Sequence, residues 1–449
     1  MFRKILIANR GEVALRIIRA CEDLGIKTVM IHSQADAESL PVNLADESFC
    51  IGPASTAQSY LNIPEIINVA LLTEAEAIHP GYGFLAENAH FAEICGEHKI
   101  KFIGPSPECI RQMGDKATAR ETVKRIGIPT VPGSEGLIKD ISEAREIAQE
   151  IGYPVLIKAS AGGGGRGMRI VESEDELERA LAAASQEAES AFGNAGVYLE
   201  KYIKRMRHIE FQIFADIDGN CIHLGERDCS IQRRHQKILE EALSPALSDD
   251  LRQRMGNAAI QIAQQINYQG AGTIEFIFDL ASEEFYFMEM NTRIQVEHPV
   301  TEAITGLDLV VEQIKVATGE SLSVKQEDVK FQGHAIEFRV NAEDPFDNFK
   351  PSPGKVTEYL APGGIGVRLD SHCYGGYMLP PYYDSLLGKL IVHGQDRNQA
   401  LARSRRALAE LGVTGIKTTV ALHLEILENK DFIDGKFDTG FLNKFFASK

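Results

Sequence analysis

The sequence predicts a chain of α/β and α+β architecture: a parallel α/β region at the N-terminus, a small α+β lobe, and a C-terminal antiparallel sheet. Three observations predict it. Short apolar runs alternate with helix-like segments up to residue 105, a glycine run lies between two strand-like segments, and longer strands of alternating polarity follow residue 204. At 449 residues the chain exceeds one ordinary core, so about two to four packed lobes are expected.

In residues 1–105 the apolar runs are Ile5-Leu6-Ile7-Ala8, Thr28-Val29-Met30-Ile31, Glu76-Ala77-Ile78 and Phe102-Ile103-Gly104, with helix-like stretches such as Glu12 to Asp23 between them. That rhythm specifies βαβ units and a parallel sheet. The first turn, Asn9-Arg10-Gly11-Glu12, lacks GxGxxG, which removes the main support for a dinucleotide site there. Residues 106–130 read as a helical linker. Residues 131–203 read as a compact unit, with strands at Pro154 to Lys158, Met168 to Val171 and Val197 to Lys201. Residues 204–449 supply strands at Ile209 to Ala215, Thr273 to Phe278 and Glu284 to Met290, and helices at Asp249 to Ile266 and Asn398 to Leu411. An antiparallel sheet flanked by helices follows.

Composition narrows the function. Hydrophobic residues at 44% and charged residues at 25% place the chain with globular proteins. A net charge of −17 argues against a general nucleic-acid binder, so any polyanion site must be local. No stretch reaches the roughly 20 apolar residues that cross a bilayer. The expectation is therefore a protein without membrane or targeting segments, in the cytoplasm, or in the plastid stroma if a transit peptide had been removed. Cys21, Cys50, Cys95, Cys109, Cys221, Cys229 and Cys373 form no CxxC pair, which fits a reducing compartment and suggests neither a disulfide framework nor a zinc site.

The run Ala161-Gly162-Gly163-Gly164-Gly165-Arg166-Gly167 lies between two strands. Its bare amides can close over phosphate oxygens, with Lys158 at the end of the entering strand to neutralise them; the alternative is a mobile surface hairpin and a solvated lysine. It is not a Walker A loop, because Met168 and a β-type run follow instead of GK[ST] and a helix. Gln232-Arg233-Arg234-His235-Gln236-Lys237 concentrates positive charge in an acidic chain, either to attract an anion or as a hairpin turn paired with Glu240 and Glu241.

Thr273 to Phe278 and Phe285 to Asn291 should pair as a hairpin. Glu289 and Asn291 share a face, and Glu275 opposite them would complete a hard-oxygen set suited to Mg²⁺; a solvated carboxylate row is the alternative. If the chain stays extended to Glu297, then Arg293, Gln295 and Glu297 continue that face. A guanidinium, an amide and a carboxylate together could clamp a small planar oxyanion and take its proton, whereas a salt-bridged edge strand would do nothing of the kind.

These residues together resemble the ATP-grasp superfamily and, within it, the biotin carboxylases. The resemblance covers essentially the whole chain. It rests on Ile7 to Glu12, His79-Pro80-Gly81-Tyr82-Gly83-Phe84, Gly114-Asp115-Lys116, Lys158 with its glycine loop, Glu200-Lys201-Tyr202-Ile203, Glu226 to Ser230 with Gln232 to Lys237, and Glu289 to Pro299. It implies an ATP-grasp fold: a Rossmann-like N-terminal domain, a mobile lid over 131–203 and a catalytic C-terminal region. Lys116, Lys158, Gly162 to Gly165 and Met168 would contact ATP, Glu200 to Ile203 would hold the adenine edge, and His208, Gln232, His235 and Ile277 would complete the pocket. Glu275, Glu289 and Asn291 would hold Mg²⁺ or Mn²⁺. Lys237, Arg293, Gln295 and the backbone of Val296 would bind bicarbonate, with Glu297 as general base, while Tyr82 and Arg339 would serve biotin.

The implied activity is ATP-dependent carboxylation of biotin, with acetyl-CoA carboxylase and fatty-acid synthesis as the first setting and a two-subunit pyruvate carboxylase as the alternative. The Ala-Met-Lys-Met biotin attachment sequence is absent, so biotin should arrive on a separate carrier protein, beside carboxyltransferase subunits. Homodimerisation is implied by the resemblance alone. Rival readings are an ATP-grasp carboxylate–amine ligase and a nucleotide-binding regulator.

Overall fold

In the computed structural model, which describes residues 1–159 and 168–448, the N-terminal apolar runs form β1 (Lys4–Ile7), β2 (Lys27–His32), β4 (Ala77–His79) and β5 (Lys101–Phe102). β3 (Glu47–Cys50) had no apolar run to announce it, because only alternate residues turn inward. The sheet is parallel, in the order β3-β2-β1-β4-β5. Strand order reverses between β1 and β4, so the loops after these two strands open side by side, at the place where open α/β sheets bind ligands. Asn9 fastens them together: its Nδ2 donates to Pro80 O at 2.6 Å and to Tyr82 O at 2.7 Å. Gly81 is required there, since a Cβ would lie 2.9 Å from that same Nδ2 and the backbone φ is +61°. Helix α1 (Gly11–Asp23) starts from the first of these loops.

Two helices, Pro107–Gly114 and Lys116–Arg125, follow, capped by Ser106 and Asp115. The cap at Asp115 puts Lys116 at the start of its helix. A small sheet then forms from β6 (Val155–Ala159), β7 (Met168–Val171) and β8 (Val197–Lys201), with β6 central and antiparallel to both. Helices Ile141–Ile151 and Glu174–Phe192 cover one side of it. The expected phosphate contacts at Gly162, Gly163, Gly164 and Gly165 lie outside the described residues.

The rest of the chain is organised by an eight-stranded sheet. β9 (Met206–Ala215), β10 (Cys221–Arg233), β11 (Gln236–Ala242), β12 (Gly270–Asp279), β13 (Phe285–Asn291) and β14 (His334–Asn341) are joined by strands Leu386–Gly394 and Val367–Ser371. The order is β13-β12-β9-β10-β11-β14, then Leu386–Gly394, then Val367–Ser371, every pair antiparallel. Helix Asp249–Gln265 covers one face, packing Met255, Ala259 and Ile262 against Ile209, Phe211, Ile274 and Phe276. Among the described residues no helix is long and apolar enough to cross a membrane.

Candidate active site

Since β9 and β12 send alternate apolar residues under that helix, His208, Glu210 and Gln212 and likewise Thr273, Glu275 and Ile277 fall on the opposite face. Register carries the row further: Glu289, Glu275, Glu210 and Arg227 stand side by side on β13, β12, β9 and β10. The last three are buried, and a buried charge must be paired. Arg227 donates to Glu210 at 2.5 Å, Gln212 at 2.8 Å, Thr301 at 3.0 Å and Thr273 at 3.1 Å. It is the pillar beneath the site.

The β10–β11 hairpin turns through Arg234 and His235 at φ +48° and +66°, a left-handed pair that matches the strand twist. The turn leaves both side chains exposed and sets Lys237 opposite Gln232. Lys237 Nζ reaches Glu210 at 2.5 Å, Glu297 at 2.6 Å and Glu275 at 3.3 Å. Burial opposes its charge, but Cys229 and these three carboxylates outweigh burial and hold the ammonium well above its ordinary pKa. Glu240 and Glu241 do not close the turn: Glu240 pairs with Arg339 at 2.6 Å, and Glu241 with Arg397 at 2.7 Å and His334 at 2.8 Å. The basic cluster is therefore divided, with Lys237 directed into the site and Arg233 out onto Asn348 and the ring of Phe349.

The extended run expected up to Glu297 stops at Asn291. Pro299, in the first turn of helix His298–Thr305, presets helical backbone, and Glu297 becomes the N-cap residue at φ −82°, ψ 12°. Period-two alternation fails beyond Asn291, yet the side chains still meet. Arg293 donates to Asn291 Oδ1 at 3.1 Å and to Gln295 Oε1 at 2.9 Å; Gln295 and Asn291 donate to Glu275 Oε1 at 3.1 and 2.8 Å. Glu87, from the loop after β4, fixes Arg293 from outside at 2.8 Å. Glu297 lies fully buried, between Lys237 and Arg339, whose guanidinium is 2.9 Å from Oε2. Burial pushes its carboxyl up, but Lys237, Arg339 and Arg227 together hold it well below the usual range. It is ionised.

Above this floor runs a cleft of about 1150 Å³. Lys158, Met168 and residues Glu200 to Ile203 line it from the small sheet and the segment after it, and Gln232, His235, Tyr82, Val296 and Arg339 line it from the rest of the chain. Glu289 faces Lys116 Nζ at 3.4 Å. Lys158 Nζ lies 2.5 Å from one oxygen of Glu200, and Arg120 pairs with the other. The Lys201 ammonium donates to Gly152 O at 2.7 Å. His208 Nε2 lies 2.9 Å from Glu275 Oε2; burial opposes its charge, and Glu275 raises its pKa regardless. Tyr82 hydroxyl donates to Glu12. The cleft thus joins a cation-lined end to an oxyanion clamp, with an ionised carboxylate beneath.

Three family models match the chain in order: the biotin carboxylase N-terminal domain over residues 1–110, the ATP-binding domain of the carbamoyl-phosphate synthase L chain over 115–325, and the biotin carboxylase C-terminal domain over 337–444. The biotin carboxylase of Nostoc sp. is 63% identical over 443 residues, 99% of each chain. The chain belongs to the biotin carboxylase family. It is thereby an enzyme of the ATP-grasp ligases. A pyruvate carboxylase subunit of Methanothermobacter thermautotrophicus is 54% identical over 99% of this chain and 90% of that one. A solved structure of the biotin carboxylase domain dimer of Hydrogenobacter thermophilus 2-oxoglutarate carboxylase, in complex with MgADP, ADP and bicarbonate, superposes with a TM-score of 0.92 at 53% identity, covering 99% and 98% of the two chains.

Several members of this biotin carboxylase site escape a reading by motif. Glu210 is two residues from His208 on one strand, so alternation could have found it. Glu87 and Arg120 carry no local sign, because only the tertiary fold brings them to Arg293 and Glu200.

Proposed function

We propose that this chain carboxylates biotin from bicarbonate and ATP by way of carboxyphosphate, with the biotin borne on a separate carrier protein. The observation that carries the reading is the ionised Glu297 held between Lys237 and Arg339 beneath the Arg293–Gln295 clamp. Arg293 and Gln295 orient bicarbonate, and Lys237 offsets its charge. So strongly depressed a carboxylate is a weak base until an anion arrives; the added negative charge then raises its proton affinity toward what proton transfer needs. The loss of that proton frees an oxygen to attack the γ-phosphoryl group. Lys116 and Lys158 neutralise charge on the phosphates.

Glu275, Glu289 and Asn291 present oxygen donors side by side, the chemistry a hard divalent cation takes. Glu289 is the least satisfied of them, meeting only Lys116, at 3.4 Å, among the described residues. A magnesium ion there would supply charge neutralisation to the phosphates. Breakdown of carboxyphosphate gives CO₂ beside Arg339, which stabilises the enolate form of biotin's ureido group, with Tyr82 near the ring. The released phosphate removes the N1′ proton. Closure of the 131–203 lobe shields the intermediate from water.

Acetyl-CoA carboxylase is our preferred setting, with pyruvate or 2-oxoglutarate carboxylase as the alternative raised by the relatives, and we take the working form as a homodimer. Purified chain should release ADP in a bicarbonate-dependent manner and carboxylate free biotin without any amine; a requirement for an amine would overturn the reading. The carboxyltransferase that copurifies with it identifies the acceptor. Because Lys158 reaches the cleft on the strand entering the glycine loop, Lys158→Gln should weaken ATP binding about tenfold or more by titration; unchanged affinity would reject its phosphate role.

A further inference from the structure

One fully buried ammonium has no part in the scheme above. Lys389, on strand Leu386–Gly394, is 0% exposed and stands beside Arg339 on β14 in strand register. Its Nζ donates to the carbonyl of Val296 at 2.7 Å and pairs with Glu12 Oε1 at 3.1 Å. Asp370 is its register partner on the other side. Glu12 in turn accepts from the Tyr82 hydroxyl, whose ring centroid lies 6.0 Å from Nζ. Such a desolvated cation is kept only by partners that make up for lost water.

The bond to Val296 has a geometric consequence. Within a trans peptide the N–H points opposite to the C=O. Gln295 O is held by His298, from its backbone N at 3.3 Å and its Nδ1 at 2.8 Å, and Val296 O is held by Lys389. Both peptides of the loop between the clamp and Glu297 are thus anchored by their carbonyls on the buried side, which directs the amides of Val296 and Glu297 away from the anchors. Val296 itself borders the cleft.

We propose that Lys389 is a positioning residue for bicarbonate: by gripping the Val296 carbonyl it turns the Val296–Glu297 peptide so that the Glu297 amide, beside the Val296 amide that His298 sets, meets the anion, and through Glu12 and Tyr82 it ties that loop to the biotin end of the cleft. This rests on the bicarbonate reading of the site. It adds a connection between the N-terminal domain and the catalytic loop, since Glu12 lies in the first turn of α1 and Tyr82 in the loop after β4, on either side of the reversal of the parallel sheet.

The test is steady-state bicarbonate-dependent ATP hydrolysis by the full chain carrying Lys389→Met. The bicarbonate KM should rise about tenfold or more, equivalent to ~1.4 kcal/mol, while the ATP KM stays within about twofold; Lys389→Arg, which keeps charge and donors, should recover part of the loss. An unchanged bicarbonate KM in folded Lys389→Met, or equal rises in both KM values, overturns the proposal. Should Lys389→Met fail to fold, Glu12→Gln removes the counter-charge instead, and its bicarbonate KM should rise about threefold; no rise overturns the proposal equally. Wild-type chain without bicarbonate-dependent hydrolysis would overturn the functional reading itself, a result distinct from either.

Discussion

Glu297→Gln should abolish bicarbonate-dependent ATP hydrolysis, a loss of about 10²–10⁴ in kcat, while leaving ATP affinity within about twofold. The amide keeps the size of the carboxylate, and its single oxygen can still accept from one of the two cations that now hold Oε1 and Oε2, Lys237 and Arg339, but it cannot take a proton. Nucleotide affinity should survive because the cation-lined end, with Lys116, Lys158 and the Glu200 segment, makes no direct contact with Glu297. Glutamine is a better choice than alanine here. Truncation would leave two buried cations without their shared partner, at a cost of about 3–5 kcal/mol, and loss of fold would be mistaken for loss of base. Normal turnover in the glutamine variant would remove Glu297 from proton transfer and leave it as the counter-charge of Lys237.

The sequence made much of this legible, for a physical reason that also sets the limit. Side-chain alternation is a local property, so Glu289 and Asn291 could be placed on one face from residue numbers alone, and register then sets Glu275 opposite Glu289. The same rule, extended past Asn291, assumed extended backbone where Pro299 and the helix behind it turn the chain. Glu297 nevertheless arrives at the cluster, by way of a helix N-terminus rather than a strand face. The parallel order of the N-terminal sheet followed from its βαβ rhythm, whereas β3 did not, since an edge strand with one buried face shows too few apolar residues.

Charge was the harder signal. In the sequence, Glu226-Arg227-Asp228 figures only as part of the family motif, with no partners assigned, and in the structure all three are buried, each with a different partner: Glu210 for Arg227, Arg252 for Glu226 and Arg207 for Asp228. No window of sequence contains those partners. Each comes from another element, so the network exists only once the sheet order brings β9, β10 and helix Asp249–Gln265 together. The hairpin cations illustrate the same point. Nearest-neighbour reasoning offered Glu240 and Glu241 as their partners, but antiparallel pairing with β14 hands those carboxylates to Arg339 and His334 instead, and helix Arg397–Glu410 adds Arg397 to Glu241.

That exchange shapes the second large effect. Arg339→Ala should reduce biotin carboxylation by about 10² or more and bicarbonate-dependent ATP hydrolysis by less than about tenfold. Arg339 lines the cleft and also touches Glu240 and Glu297, so its removal withdraws one of the two cations directly bound to Glu297; Lys237, at 2.6 Å, remains. The modest loss expected in hydrolysis reflects that loosening, and the large loss in carboxylation reflects an enolate left without its guanidinium. The variant should also fold. Burial pushes the Glu240 carboxyl up to about 7 even though Arg339 pulls it down, and loss of Arg339 pushes it further toward the neutral form, which lessens the charge left in the sheet. Comparing the two activities on one preparation decides the matter: equal losses would make Arg339 a support for Glu297 and remove it from biotin chemistry.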